Sequence, residues 1–297
     1  MKLINNLKVI IDTINMKPIL QSRNKNERDD LIKFYAKGHK YEIITDPKTK
    51  YTSVTTWNHS HFPKFDQDAI IEKIFKSKGW GPENKYWGQT AEQIKALWKV
   101  NGESSAGAGT KLHEEIEHFM NNGNLDLNSA YTHKDLWENY KNNPNRGIIP
   151  YTAEWEYFLQ FINDYPDMKP YRTEWMIFDE DLKIAGSIDM VYENPDGTLS
   201  IYDWKRSKDI SKINGWDNFA KNPLISHLHD TNFWHYALQL NTYKAILERK
   251  YGKTVTKLCL VRLHPDNQEE TYELLDVPIL TKEMEDLFEE RQKEVSL

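Results

Sequence analysis

The sequence has one cysteine, Cys259, among 297 residues, which leaves no material for an intrachain disulfide framework or a cysteine-rich zinc or iron–sulfur centre. No run of 18 apolar residues occurs, so no segment reads as a membrane-spanning helix. Internal repeats and low-complexity tracts are also absent, which excludes solenoids and arrays. An excess of positive charge is missing too: 39 Lys and Arg stand against 45 Asp and Glu, a formal net charge of −6. A general nucleic-acid coat protein carries the opposite balance. Aromatic side chains, in contrast, are abundant at 11 Phe, 10 Trp and 16 Tyr, too many for a solvated coil. With 39% hydrophobic residues the chain can bury a sizeable core, and the composition predicts a soluble, intracellular globular protein.

The charge is uneven. Residues 1–40 hold nine Lys and Arg against four Asp and Glu, whereas residues 265–297 hold three against eleven. A second basic cluster, Lys205, Arg206, Lys208 and Lys212, is interrupted by Asp209. Leu3, Leu7, Ile10 and Ile14 recur at helical spacing, predicting an amphipathic helix over residues 2–15, with a polar linker over residues 19–30. Tyr41–Ile44 and Thr52–Trp57 suggest a small hairpin around Asp46-Pro47-Lys48-Thr49. Residues 66–100 read as helical with a break near Gly79–Pro82, and further helices are expected over Ala106–Asn121 and Glu154–Asn163. Arg172–Asp179, Ile184–Glu193, Thr198–Lys205 and Val255–Leu263 read as strands. A long helix over Asp230–Lys250 stops at Gly252, and a last one starts near Thr281. The pattern predicts an α/β fold: a central mixed β-sheet flanked by helices, with N-terminal helical additions.

Two superficial motifs fail on physical grounds. Gly102 and Gly107 have phosphate-loop spacing, but Ala108 stands where the phosphate-gripping lysine must be, so no ATP-driven motor is implied. His113 and His118 resemble a zinc-protease helix, yet five residues at ~100° each set them about 140° apart around the axis. They cannot grip one ion from one face.

The informative segment is the hairpin around Pro195-Asp196-Gly197. If Asn194 faces Thr198, the register carries Asp189 opposite Asp203. Two opposed carboxylates in apolar sheet repel, unless they are protonated or share a cation. A hard divalent ion such as Mg²⁺ resolves the conflict. Lys205, two residues past Asp203, falls on the same face and suits developing negative charge at a phosphate. His113 and Glu117, like Gln239 and Tyr243, are i,i+4 pairs that share a helix face. Trp155, Trp175 and Trp234 suit either core packing or base stacking.

Gly186-Ser187-Ile188-Asp189 followed by Asp203-Trp204-Lys205 resembles the core of the PD-(D/E)XK nucleases. Gly109-Thr110-Lys111-Leu112-His113 and Gln239-Leu240-Asn241-Thr242-Tyr243 resemble the flanking motifs of its RecB-like branch. Tyr51-Thr52-Ser53-Val54-Thr55 and Asp203–Ser207 are similar to the mitochondrial genome maintenance exonucleases of that branch. The likeness spans about residues 50–265, four pieces in the family's order.

The resemblance implies a restriction-endonuclease-like core and hydrolysis of phosphodiesters with Mg²⁺ or Mn²⁺. It places His113, Asp189, Asp203 and the Trp204 carbonyl on the metal and makes Lys205 the catalytic lysine, alongside Asp189 and Asp203. Glu174 matches an extra acidic position, Glu117 supports His113, and Gln239 and Tyr243 face the site or the DNA. Arg206 and Lys208 are expected to contact DNA. No iron–sulfur cluster, ATP or membrane is expected. The domain boundary is placed after residue 30, with the nuclease over residues 31–297. The expected activity is exonucleolytic, on DNA ends or single strands in replication, repair or recombination. A structure-selective or restriction-type endonuclease and an inactive nucleic-acid-binding module are the alternatives. The compartment is one that holds DNA: cytoplasm, nucleus or an organelle.

Overall fold

The computed structural model describes residues 18–123, 131–142, 152–215 and 218–296, so the helix expected over residues 2–15 lies outside the described residues. The strands are β1 (Ile32–Tyr35), β2 (Lys40–Ile43), β3 (Thr52–Ser53), β4 (Lys169–Asp179), β5 (Ile184–Glu193), β6 (Leu199–Lys205), β7 (Val255–Arg262) and β8 (Glu273–Asp276). The helices are α1 (Ile19–Arg23), α2 (Val54–His59), α3 (Gln67–Lys76), α4 (Ala91–Met120), α5 (His133–Asn142), α6 (Ala153–Asp164), α7 (Asn232–Lys250) and α8 (Thr281–Val295). β1 and β2 form a separate ribbon, and the main sheet runs β3-β5-β6-β7-β8 with β4 added to β5. The β3–β5 and β6–β7 pairs are parallel and the others antiparallel. The expected mixed sheet flanked by helices is therefore present.

The β5–β6 hairpin closes as its turn chemistry requires. Gly197 takes φ 81°, and the Asn194 N–H donates to the Thr198 carbonyl at 2.8 Å. The register follows to Met190↔Tyr202, and there the ladder stops. β4 occupies one edge of β5 over its whole length, from Lys169↔Glu193 to Asp179↔Ile184. The other edge is divided: β6 pairs with Met190–Glu193 and β3 with Ile184–Ala185. A strand has only two hydrogen-bonding edges. Gly186–Asp189 therefore face a gap where β6 has left β5.

Helices cover both faces. Trp57 of α2, Phe233 and Leu240 of α7 and Leu287 of α8 pack on Trp175, Ile177, Ile188 and Val191. On the opposite face Leu112 and Ile116 of α4 and Phe158 and Phe161 of α6 pack on Met190, Tyr202 and Trp204. The Trp204 indole stands edge-on to Phe158 and Phe161, with centroids 5.6 and 5.7 Å away. Alternation along β5 breaks between Asp189 and Met190: Ile188 and Met190, two apart, belong to opposite faces. Opposite this step, Glu174 in β4 has φ 41°, a left-handed conformation unusual for glutamate and characteristic of strain at functional sites.

Several expectations need correction. Tyr41–Ile44 does not pair with Thr52–Trp57; β2 pairs with β1, and only Thr52–Ser53 joins the sheet. Ser53 accepts the Thr56 N–H and caps α2, so a β-branched stretch becomes a helix. The helical stretch expected up to residue 100 and the Ala106–Asn121 helix are one continuous helix, which starts at Ala91 behind a Thr90–Gln93 capping box.

Residues 19–30, read as a linker, include α1 and part of a 3₁₀ helix over Glu27–Leu31, with Leu20 fully buried. Asp29 holds Arg172 through two contacts, 2.8 and 3.3 Å, and accepts from the Trp175 indole at 3.0 Å. This buried network ties the segment to β4. Asp29→Ala leaves the Arg172 charge buried and unpaired, and should destabilise the fold by ~3–5 kcal/mol in urea titrations. Adding Arg172→Met should recover part of that loss; strictly additive effects would contradict the pairing.

Candidate active site

Glu174, Asp189 and His113 converge at the gap between β5 and β6. Each offers a ligand atom, and those atoms lie within 4.8 Å of one another. His113 arrives from α4, with Nδ1 3.5 Å from Asp189 and 3.9 Å from Glu174. Its Nε2 hydrogen-bonds the Trp204 carbonyl at 3.0 Å. The Trp204 N–H, left without a ladder partner, donates to Asp189 Oδ2 at 3.2 Å. Asp189 thus bridges the fork that separates β5 from β6.

Asp203 and Lys205 alternate with Trp204, so they face α7 while the indole enters the core on the α4 side. The Lys205 ammonium lies 2.5 Å from Asp203 Oδ2 and over the Tyr236 ring, 4.5 Å from its centroid. Tyr243 of α7 lies against Gly186: a Cβ there would stand 2.8 Å from the tyrosine ring and 3.0 Å from Val54. Only glycine permits that approach. Gln239 donates to the Tyr243 hydroxyl at 3.1 Å, so the two form one unit beside the gap.

The electrostatics fit a cation site. Burial, followed by the Asp189 charge, raises the Asp203 pKa. Burial also raises Asp189, partly opposed by His113 and Lys205. Burial alone would lower His113, but Asp189 and then Glu174 outweigh it and push it up to about 9. The imidazolium and the Lys205 ammonium therefore offset much of the charge of three carboxylates. Asp203 Oδ1 is buried with no hydrogen-bond donor, the kind of orphaned acceptor that a cation satisfies. These donors are hard oxygens with one imidazole, suited to Mg²⁺ or Mn²⁺.

Asp203 stands outside the close trio, whose third member is Glu174; the switch of faces at Asp189 and Glu174 is the cause. Glu117 makes no side-chain hydrogen bond to His113; burial and then Glu174 raise its pKa instead. Arg206, expected on DNA, is held at 2.6 Å by Glu154 of α6, and Lys208 pairs with Asp266 at 3.0 Å. Trp155 and Trp175 are core residues, while the Trp234 indole donates to the Lys212 carbonyl at 2.9 Å. Ser187, Tyr41 and Tyr236 were not foreseen. Ser187 donates to Glu174 at 2.9 Å, and its place two residues before Asp189 could have signalled it.

Mg²⁺ or Mn²⁺ should raise the melting temperature of the wild-type protein by mass action and raise that of Asp189→Asn much less. Differential scanning fluorimetry with and without EDTA reads this directly. Equal metal-induced shifts would show that Asp189 is no ligand.

No curated protein matches the sequence. Among solved structures, the chain is similar to a crystal structure of a "Putative exonuclease" from Eubacterium rectale, at 12% identity, with 83% of this chain and 79% of that one covered and a TM-score of 0.39. The description of the PD-(D/E)XK nuclease superfamily matches residues 85–296, a segment that holds His113, Glu174, Asp189, Asp203 and Lys205. With more than two thirds of its length matched, the chain belongs to the PD-(D/E)XK nuclease superfamily.

Proposed function

We propose that the protein is a Mg²⁺- or Mn²⁺-dependent deoxyribonuclease of the RecB-like branch, akin to the mitochondrial genome maintenance exonucleases. On this reading it trims DNA ends or single strands during replication, repair or recombination. The observation that carries the reading is the convergence of Glu174, Asp189 and His113 beside the Asp203–Lys205 pair.

Asp189, Glu174 and Asp203, with the Trp204 carbonyl and with His113 once its imidazolium has given up a proton, would hold the metal. When bound, that ion supplies positive charge at the scissile phosphate and makes water more acidic. Lys205 complements it. Burial would lower its pKa, but Asp203 and then Asp189 raise it well above neutrality, so it stays an ammonium. Its role is therefore to donate to the phosphate as negative charge develops, not to remove a proton. Asp203 fixes the ammonium from one side, and the Tyr236 ring covers another. His113 links α4 to β6 through the Trp204 carbonyl, which keeps the two walls of the gap in register. Ser187 restrains the Glu174 carboxylate by its hydrogen bond.

End-labelled linear DNA, single- and double-stranded, incubated with Mg²⁺, Mn²⁺ or EDTA, tests the activity. Mononucleotide or short products from linear DNA, with closed circles left intact, are expected. Cutting of covalently closed circles would establish an endonuclease instead, and no metal-dependent cutting would refute the reading. Lys205→Met should lower the cleavage rate on the order of 10²–10³ while DNA affinity, measured in EDTA, is retained. Cleavage at the wild-type rate would remove Lys205 from the site.

A further inference from the structure

The β1–β2 ribbon is fixed at its base and bare at its tip. Pairing places Ile32, Phe34, Tyr41 and Ile43 on its inner face. Ile32, Tyr41 and Ile43 are buried with Tyr51 against Phe178 and Ala185. Phe34, one inner position further out, is 39% exposed although its face is the apolar one. Its ring meets His39 edge-on at 4.9 Å and Tyr41 at 4.9 Å, forming an aromatic surface open to solvent. His39 reaches it from a turn in which Gly38 has φ 88° and His39 itself φ 47°. A left-handed conformation crowds the Cβ of a non-glycine residue, so the imidazole is held here against a local preference.

The ribbon is also basic. Lys33 and Lys40 are exposed on its outer face and Lys37 in the turn next to His39, and among the described residues no ion pair engages any of them. Glu42, the carboxylate opposite Lys33 in the ladder, accepts from the Tyr35 hydroxyl at 3.5 Å. On a chain of net charge −6, this is a local positive element.

Its position relates it to the acidic cluster. Ala185, Ser187 and Asp189 alternate onto one face of β5, with Phe178 opposite Ala185 and Met176 opposite Ser187. The ribbon sits on Phe178 and Ala185, with Met176 packed beside it. Glu174, Ser187 and Asp189 come next along the same face, about 13 Å from Ala185 to Asp189 at ~3.3 Å per residue. Burial, and then the charges of Glu174 and Asp189, push the Tyr41 phenol up to about 12, as expected if it borders the cluster. The aromatic surface thus lies beside the site.

We propose that the inner face of this ribbon, Phe34 and His39 with Tyr41 at its base, is a stacking platform for unpaired bases of a single-stranded nucleic acid entering the acidic cluster, its backbone met at the turn by Lys37. The proposal rests on the nuclease reading and names the substrate form that this surface suits. Duplex DNA hides its base faces, whereas every unpaired base offers one to an aromatic ring, and exposed aromatics among lysines serve that contact.

Fluorescence anisotropy of a short labelled oligo(dT) and of a blunt duplex, both in EDTA to prevent cleavage, tests the platform. Phe34→Leu keeps an apolar side chain and removes the ring, and should weaken oligo(dT) binding about tenfold, within the range of one lost base stack. Phe34→Trp should restore it, and duplex affinity should not change. His39→Ala, at an exposed position, should also weaken oligo(dT) binding selectively. Lys37→Gln should reduce the slope of log affinity against log salt by about 0.7, the loss of one single-strand phosphate contact. Wild-type affinity for oligo(dT) in both Phe34→Leu and His39→Ala, parallel loss of duplex binding, or no oligo(dT) binding by the wild-type protein would overturn the platform. Metal-dependent cleavage would still stand in each of those cases, so the two failures are separable.

Discussion

A β-strand has two edges, and β5 must serve three neighbours. β4 takes one edge completely, so β6 and β3 divide the other and leave Gly186–Asp189 facing a gap. The rest of the site follows from that shortage. Trp204 loses its ladder acceptor, and Asp189 supplies one. The Trp204 carbonyl is likewise free to meet His113. Carboxylates on the two sides of the sheet share one electrostatic field because no ladder closes the space between them. Packing holds the fork open: α7 lies against Gly186 through Tyr243, while Trp204 is fixed among Phe158 and Phe161.

The cost of gathering three carboxylates is met from inside the cluster. Lys205 stands on Asp203, and an imidazolium stands on Asp189 and Glu174. Each cation faces a buried or half-buried anion, where pairing is needed to offset desolvation. One acceptor, Asp203 Oδ1, is left over. A divalent cation would therefore enter a site that is already shaped but not saturated, which is the arrangement that makes metal binding favourable without unfolding the metal-free state. The strained Glu174 backbone belongs to the same design: its left-handed turn brings a third carboxylate onto the face of Asp189.

Much of this was legible in the residues. Pro195-Asp196-Gly197 specifies a tight loop, and the register it sets holds from Glu193↔Leu199 to Met190↔Tyr202. Alternation then places Lys205 beside Asp203, as the ion pair shows. The change of face at Glu174 and Asp189 was not legible, because nothing in a glutamate signals φ 41°. The wrong pairing of Tyr41–Ile44 came from β-branched residues after Tyr51, where a serine cap overrides strand propensity. Residues 66–100 and Ala106–Asn121 read as separate helices, whereas α4 runs unbroken from Ala91 to Met120 through Gly102, a residue that disfavours but does not forbid a helix. Arg206 looked like a free cation only because Glu154, far away in sequence, could not be placed beside it.

The claim on which the others depend is that the fork between β5 and β6 is the metal site. Diffraction from crystals grown with Mn²⁺, recorded at the manganese absorption edge, measures it most directly. An anomalous peak between Asp189, Glu174 and Asp203, with the imidazole of His113 alongside it, is the predicted result. Manganese seated outside the fork, or an empty fork with Lys205 still on Asp203 at saturating Mn²⁺, would contradict it.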